Sequence, residues 1–175
     1  GILWSGPVFA SPAISDSSPG MHLHIATPAY QLSAEGLAVP GYAVNDAPGA
    51  PALPVWRTVV ELPPTGQWSL RFKADQTLQL RAPAALPAVP VPDISPLGPE
   101  SLADYMAQTT ATPMVDRPDP SIYQANVYYP QEPVAAGVEQ WQRGRRLLPV
   151  QVFPFQYNPI TGDLRYNPVL DVVIE

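Results

Sequence analysis

Proline stands at 25 of 175 positions, nearly three times its usual share of about 5%. Its ring fixes φ and removes a backbone donor, so helix interiors and central strands tolerate it poorly, while edge strands, turns and extended connections accept it. Between the prolines lie short runs in which apolar and polar residues alternate. Together these predict an all-β fold, an antiparallel two-sheet β-sandwich with one short helix. The chain is long enough to bury one sizeable core and cramped for two full domains. With 46% hydrophobic and 14% charged residues it is globular, not of the disordered kind. The expected organisation is a lead-in over residues 1–20, then a single domain over 21–175 with a proline-rich and loop insert at about 82–120.

The runs can be taken in turn. In "MHLHIATPAY" Leu23 and Ile25 alternate with His22 and His24; with no third histidine and no cysteine, the two imidazoles are expected to be solvated and not to bind metal. Trp56, Thr58, Val60 and Leu62 face one way and Arg57 and Glu61 the other. After a "PPTG" turn, Trp68, Leu70 and Phe72 face inward and Ser69, Arg71 and Lys73 outward, and these two strands are expected to pair. A further strand starts at Leu78 and Leu80, and "SLADYMAQ" is the helix candidate over 101–108, capped by Ser101. Residues 146–157 are apolar on both faces, as an inner strand would be. In the last run Leu164, Tyr166, Leu170, Val172 and Ile174 alternate with Arg165, Asn167, Asp171 and Glu175. The "NPITGD" between them is a hairpin loop in which Gly162 takes the left-handed conformation, and it sets a register that one slip would invert.

The charge pattern excludes several classes. The net charge is −6, with eight Arg, one Lys (Lys73) and no basic run, which argues against nucleic acid as a partner. Without cysteine the chain has no disulfide, thiolate metal site or cysteine nucleophile of its own. There is no run of 18 apolar residues for membrane insertion, and "GILWSGPVFASPA" lacks the basic start of a signal peptide. Two His and 15 acidic residues form no acid–base motif, so no catalytic residue, metal or cofactor is assigned. Tyr123, Tyr128 and Tyr129 have the chemistry of interface anchors and equally of ordinary packing.

The order of elements near the C-terminus carries a resemblance. A basic Arg-Gly-Arg element, a hydrophobic strand, "PFQYNPITGDLR" and a final alternating strand resemble the end of the N-terminal prodomain of gingipain-type cysteine peptidases. "APALPVW" is similar to that family's Pro-x-Leu-Pro element, and "IYQANVYYPQEPV" to its Tyr-x-x-Asn and aromatic-Pro step. The resemblance runs over 48–175 and is strongest over 143–175. It implies a propeptide that assists folding and holds a downstream caspase-like catalytic domain inactive, in a secreted or cell-surface bacterial enzyme. The chain is then a monomer in isolation, its partner is that catalytic domain, and the catalytic Cys and His lie in the partner. By the family's chain order the inhibitory loop falls within 109–120, with Met114, Val115, Asp116, Arg117 and Pro118 at its centre and Arg117 suited to an acidic specificity pocket. Arg143, Arg145 and Arg146 are the processing candidates, although "RGRR" is more basic than the family's Arg-x-x-Arg-Gly. Two other readings stay open: an extracellular carbohydrate- or surface-binding β-sandwich module, suggested by four Trp and eight Tyr, and a structural spacer, suggested by the proline content.

Overall fold

Short runs broken by proline cannot build long central strands, and the chain forms many brief ones, every pair antiparallel. The structure, a computed structural model, describes residues 13–17, 20–93 and 114–175. The strands are β1 (Ala13–Ser17), β2 (Gly20–Ala26), β3 (Gln31–Ser33), β4 (Gly36–Ala38), β5 (Ala43–Val44), β6 (Pro54–Leu62), β7 (Leu70–Ala74) and β8 (Leu78–Arg81). They continue with β9 (Val91–Pro92), β10 (Met114–Val115), β11 (Val134–Ala136), β12 (Gln140–Gln142), β13 (Arg145–Val152), β14 (Phe155–Asn158), β15 (Asp163–Tyr166) and β16 (Val169–Ile174). One four-residue helix, α1 (Pro120–Tyr123), follows β10. The helix expected over 101–108 lies outside the described residues.

Two cores organise these strands. Sheet β1-β2-β16-β7 and sheet β11-β13-β6-β5, to which β12 adds on β13, both supply the first. Leu23 and Ile25 of β2 and Leu170, Val172 and Ile174 of β16 meet Val60 and Leu62 of β6 and Leu148, Val150 and Val152 of β13. Sheet β14-β15-β8 supplies the second, where Phe155, Tyr157, Leu164 and Tyr166 pack with Leu37, Leu53, Val55 and Leu86. Phe155 stacks on Tyr166 at 4.4 Å, and the Tyr30 ring meets both edge-on. The fold is all-β.

Five expectations are corrected by the pairing and the burial. Strands β6 and β7 do not pair: β6 lies between β13 and β5, and β7 pairs with β16 in the other sheet. The apolar run 146–157 is two strands, since β13 ends at Val152 and β14 begins at Phe155 after Pro154. The final alternating run is also split, β15 and β16 flanking Asn167 and Pro168. At both breaks the chain crosses between cores, and the Asn167 N–H donates to the Pro154 carbonyl at 2.8 Å, holding the crossings together. Asn167 is accordingly buried rather than outward, its Oδ1 accepting from the Thr77 hydroxyl at 2.7 Å. β1 pairs with β2 within the stretch expected to be a lead-in.

The hairpin forms as expected. Asn158 pairs with Asp163, the Gly162 N–H donates to the Asn158 carbonyl at 2.8 Å, and Gly162 has φ +75. No atom lies within 4 Å of where a Cβ would stand. Gly162→Ala therefore carries backbone strain alone, and urea unfolding is expected to show a loss of about 1 kcal/mol. A neutral variant would show that the loop relaxes.

Candidate functional site

The segment with the chemistry of a substrate sits on a two-strand ribbon. β9 and β10 pair through Pro92 with Met114 and Val91 with Val115. Such a ribbon is too short to stand by itself, and its legs are held below. In the incoming leg Leu86 and Ala88 are buried, the Leu86 N–H donates to the Tyr157 hydroxyl at 3.3 Å, and the Ala52 N–H donates to the Pro87 carbonyl at 2.8 Å. In the outgoing leg Asp119 caps α1, its Oδ1 accepting from the Ser121 N–H at 2.8 Å, with Pro120 at the first helical position. The Ser121 hydroxyl, donating to the same Oδ1 at 2.7 Å, and then that N–H lower the Asp119 carboxyl pKa below its ordinary value. The Tyr123 hydroxyl donates to the Leu86 carbonyl at 3.0 Å and so ties one leg to the other. Burial pushes its pKa up to about 12, which keeps the donor protonated.

Between these anchors Met114 is 58% exposed, and Asp116, Arg117 and Pro118 are exposed too. Arg117 is the only Lys or Arg from 82 to 142. Its side chain is 60% exposed and 3.9 Å from the Asp93 carboxylate, a separation at which an ion pair holds it only weakly. The guanidinium is thus displayed on an extended segment and followed by a residue without an N–H.

The other candidates are placed differently. Tyr123, Tyr128 and Tyr129 support the second core: the Arg165 guanidinium lies 3.8 Å over the Tyr128 ring, and Tyr129 exchanges two 2.8 Å backbone bonds with Tyr157. Segment 130–131 covers β14 from outside, the Gln156 amide donating to the Pro130 and Gln131 carbonyls at 2.9 Å. Arg143 and Gly144 form the tip of the β12–β13 hairpin, with φ +51 and +78, and are exposed. Arg145 pairs with Glu61. Arg146 is the most tightly held: it grips Glu139 with two bonds of 2.7 and 2.9 Å and donates to the carbonyls of Pro63 and Gly66. Those bonds, above all, lower the Glu139 carboxyl pKa. His22 and His24 are exposed, His24 lying 2.6 Å from Asp171. Among the described residues no three His, Asp or Glu are grouped to hold a metal, and no helix is long and apolar enough to cross a membrane. Trp56 and Trp68 pack against the first core.

Sequence reasoning did not single out α1 or the turn at Gly49 beneath the ribbon. The signals were "DPS", a cap followed by Pro at the first helical position, and "APG", a Pro-Gly turn.

The described residues thus form an all-β domain with two cores and an exposed Arg-Pro segment held at both ends. The Propeptide_C25 family matches residues 37–175, and the chain belongs to it: it is the non-catalytic propeptide of a gingipain-type cysteine peptidase. Among solved structures, the complex of Porphyromonas gingivalis RgpB pro- and mature domains aligns with TM-score 0.69 at 14% identity, covering 94% of this chain and 84% of that one. A structure on the zymogenic latency of gingipain K from Porphyromonas gingivalis aligns with TM-score 0.66 at 16% identity, covering 98% and 95%. Likeness at these identities concerns the fold. No curated protein matches the chain.

Proposed function

We propose that the chain keeps its own gingipain-like catalytic domain latent by docking on it as a preformed β scaffold and laying Met114–Pro118 across the active-site cleft. The observation that carries this reading is the exposed Arg117 on a segment held at both ends, by the ribbon before it and by the Asp119 cap after it. A preorganised segment loses little conformational freedom on binding, which favours tight inhibition. A guanidinium suits an acidic specificity pocket through paired bonds. Pro118 supplies no N–H and has a fixed φ, so the bond after Arg117 fits a hydrolytic register poorly. The segment then binds like a substrate and resists turnover.

Several further points belong to this reading. The two larger sheets act as one sandwich within a single domain that takes in β1 as well as the expected 21–175, and this domain serves as a folding template for the peptidase. Tyr123, Tyr128 and Tyr129 touch the partner only by their exposed edges. Its place at the open hairpin tip favours Arg143 as the processing position over Arg145, which pairs with Glu61, and over the clamped Arg146. The enzyme is a bacterial one, secreted or held at the cell surface.

The test adds the separate chain to its catalytic domain and measures residual peptidase activity. Arg117→Ala is expected to weaken inhibition by roughly 2 kcal/mol, about thirtyfold, as for truncating an anchor in a desolvated pocket. Inhibition within a factor of two of the parent would show that another segment blocks the site. No inhibition by the parent at large molar excess would overturn latency by docking in favour of a surface-binding module.

A further inference from the structure

We propose that Gly49 is the positioning residue that aims the inhibitory segment, an inference resting on the reading that Met114–Pro118 faces the cleft. Gly49 is buried below the ribbon, in a turn closed by the Ala50 N–H donating to the Ala47 carbonyl at 3.1 Å, with Pro48 second and Gly49 third. Its φ of +76 is what a Pro-Gly turn of this kind places at the third position. The turn is rooted in the molecule: Ala50 and Leu53 are fully buried, and the Val89 N–H donates to the Ala50 carbonyl at 2.7 Å.

One residue thereby holds both legs of the ribbon. The Gly49 N–H donates to the Val89 carbonyl at 2.8 Å, just before β9, and the Gly49 carbonyl accepts from the Asp119 N–H at 2.9 Å, just after the displayed arginine. The separation of the legs at this level is set by the span of that residue's own backbone, whose φ is fixed by the turn. Nothing larger fits: a Cβ on Gly49 would stand 3.0 Å from the Arg117 carbonyl oxygen, 3.1 Å from the Asp119 nitrogen and 3.2 Å from the Asp119 Cβ. Two of these are backbone atoms of the segment itself, so a side chain here pushes on the stretch that carries Arg117. A substrate-like segment is sensitive to small displacements, because its anchor must reach the pocket while its backbone keeps its place in the cleft.

Gly162 supplies a matched control. Its φ is +75 against +76 at Gly49, but its Cβ position is open. Gly49→Ala and Gly162→Ala thus share the penalty of a positive φ, and only the first presses on the segment. Three quantities are measured for each: inhibition of the cognate catalytic domain, affinity for that domain with its cleft filled by a covalent peptidyl inhibitor, and Tm. Gly49→Ala is expected to inhibit at least tenfold more weakly than Gly162→Ala, with equal affinity for the blocked peptidase. Inhibition within a factor of two of Gly162→Ala, or an equal loss of affinity for the blocked peptidase, overturns the proposal. Should Gly49→Ala not fold, Asp119→Pro is compared with Asp119→Ala. Both lose the helix cap, but only the proline also loses the N–H that meets Gly49, and the Asp119 φ of −70 accepts it. Weaker inhibition by the proline variant supports the proposal, and equal inhibition overturns it. If Gly49→Ala has no effect while Arg117→Ala does, the anchor stands and its aiming by Gly49 fails. If neither has an effect, the reading of the segment fails as well.

Discussion

Phe155→Ala is expected to lower the unfolding free energy by about 3–5 kcal/mol, the usual range for truncating a fully buried phenylalanine. Phe155 is 0% exposed and lies in β14, all four residues of which are buried. Its ring stacks on Tyr166 with an interplanar angle of 8° and meets Tyr30 at 5.1 Å, so truncation removes both ring contacts as well as apolar burial. The neighbours are strand residues held in register on both sides, and they are poorly placed to close the cavity. Urea unfolding at constant m-value measures the effect. A loss under about 1 kcal/mol would mean that the second core is plastic where the packing is rigid.

Leu148→Ala is expected to cost about 2–5 kcal/mol through the first core. Leu148 is 0% exposed on β13 and pairs with Val60 of β6, with sheet β2-β16-β7 facing it across the core. Although the two variants damage different cores, both are expected to shift one and the same cooperative transition. The chain passes between the cores at Pro154 and again at Pro168, and β14, β15 and β16 follow one another with two-residue and four-residue connections. Neither core can open without pulling on the strands of the other. Two separate unfolding steps in Leu148→Ala, with the Phe155 core persisting in the second, would show that the crossings do not couple them.

Alternation in the sequence predicted most side-chain faces, though Phe72, expected inward, is 37% exposed and Asn167, expected outward, is buried. Leu23, Ile25, Val60, Leu62, Leu164, Tyr166, Leu170, Val172 and Ile174 are all buried, and each was assigned inward by period two. Partners were harder. Strands 54–62 and 70–74 are both amphipathic and are joined by a loop with a turn signal, which suits a hairpin. An amphipathic strand is equally satisfied when its neighbour in sequence faces it across a core. The seven residues 63–69 are long enough to span the roughly 10 Å between facing sheets, and Trp68 and Leu70 pack against the first core from the opposite side.

The site divides in the same way. Arg117 and Pro118 were legible as residue types, and the family resemblance gave the interval of the chain in which to look for the segment. Their presentation depends on Gly49, some 70 residues away in sequence, which no local pattern links to them. Arg145 and Arg146 read as processing candidates from their residue type alone, and nothing local shows that Glu61 and Glu139 reach them from other strands and loops.

Local chemistry by itself determined that this protein is all-β, where its Gly162 turn falls, which strand faces are apolar, and that it carries no cysteine nucleophile. φ restriction, period-two alternation and composition act within a few residues and leave their mark directly in the sequence. Only the tertiary structure decided that there are two cores, that the chain crosses between them at Pro154 and Pro168, and that a buried glycine holds both legs of the ribbon. Those features arise from contacts between residues far apart in the chain, where many pairings satisfy the same local pattern and the one that forms is selected by packing and by satisfying every buried backbone group at once.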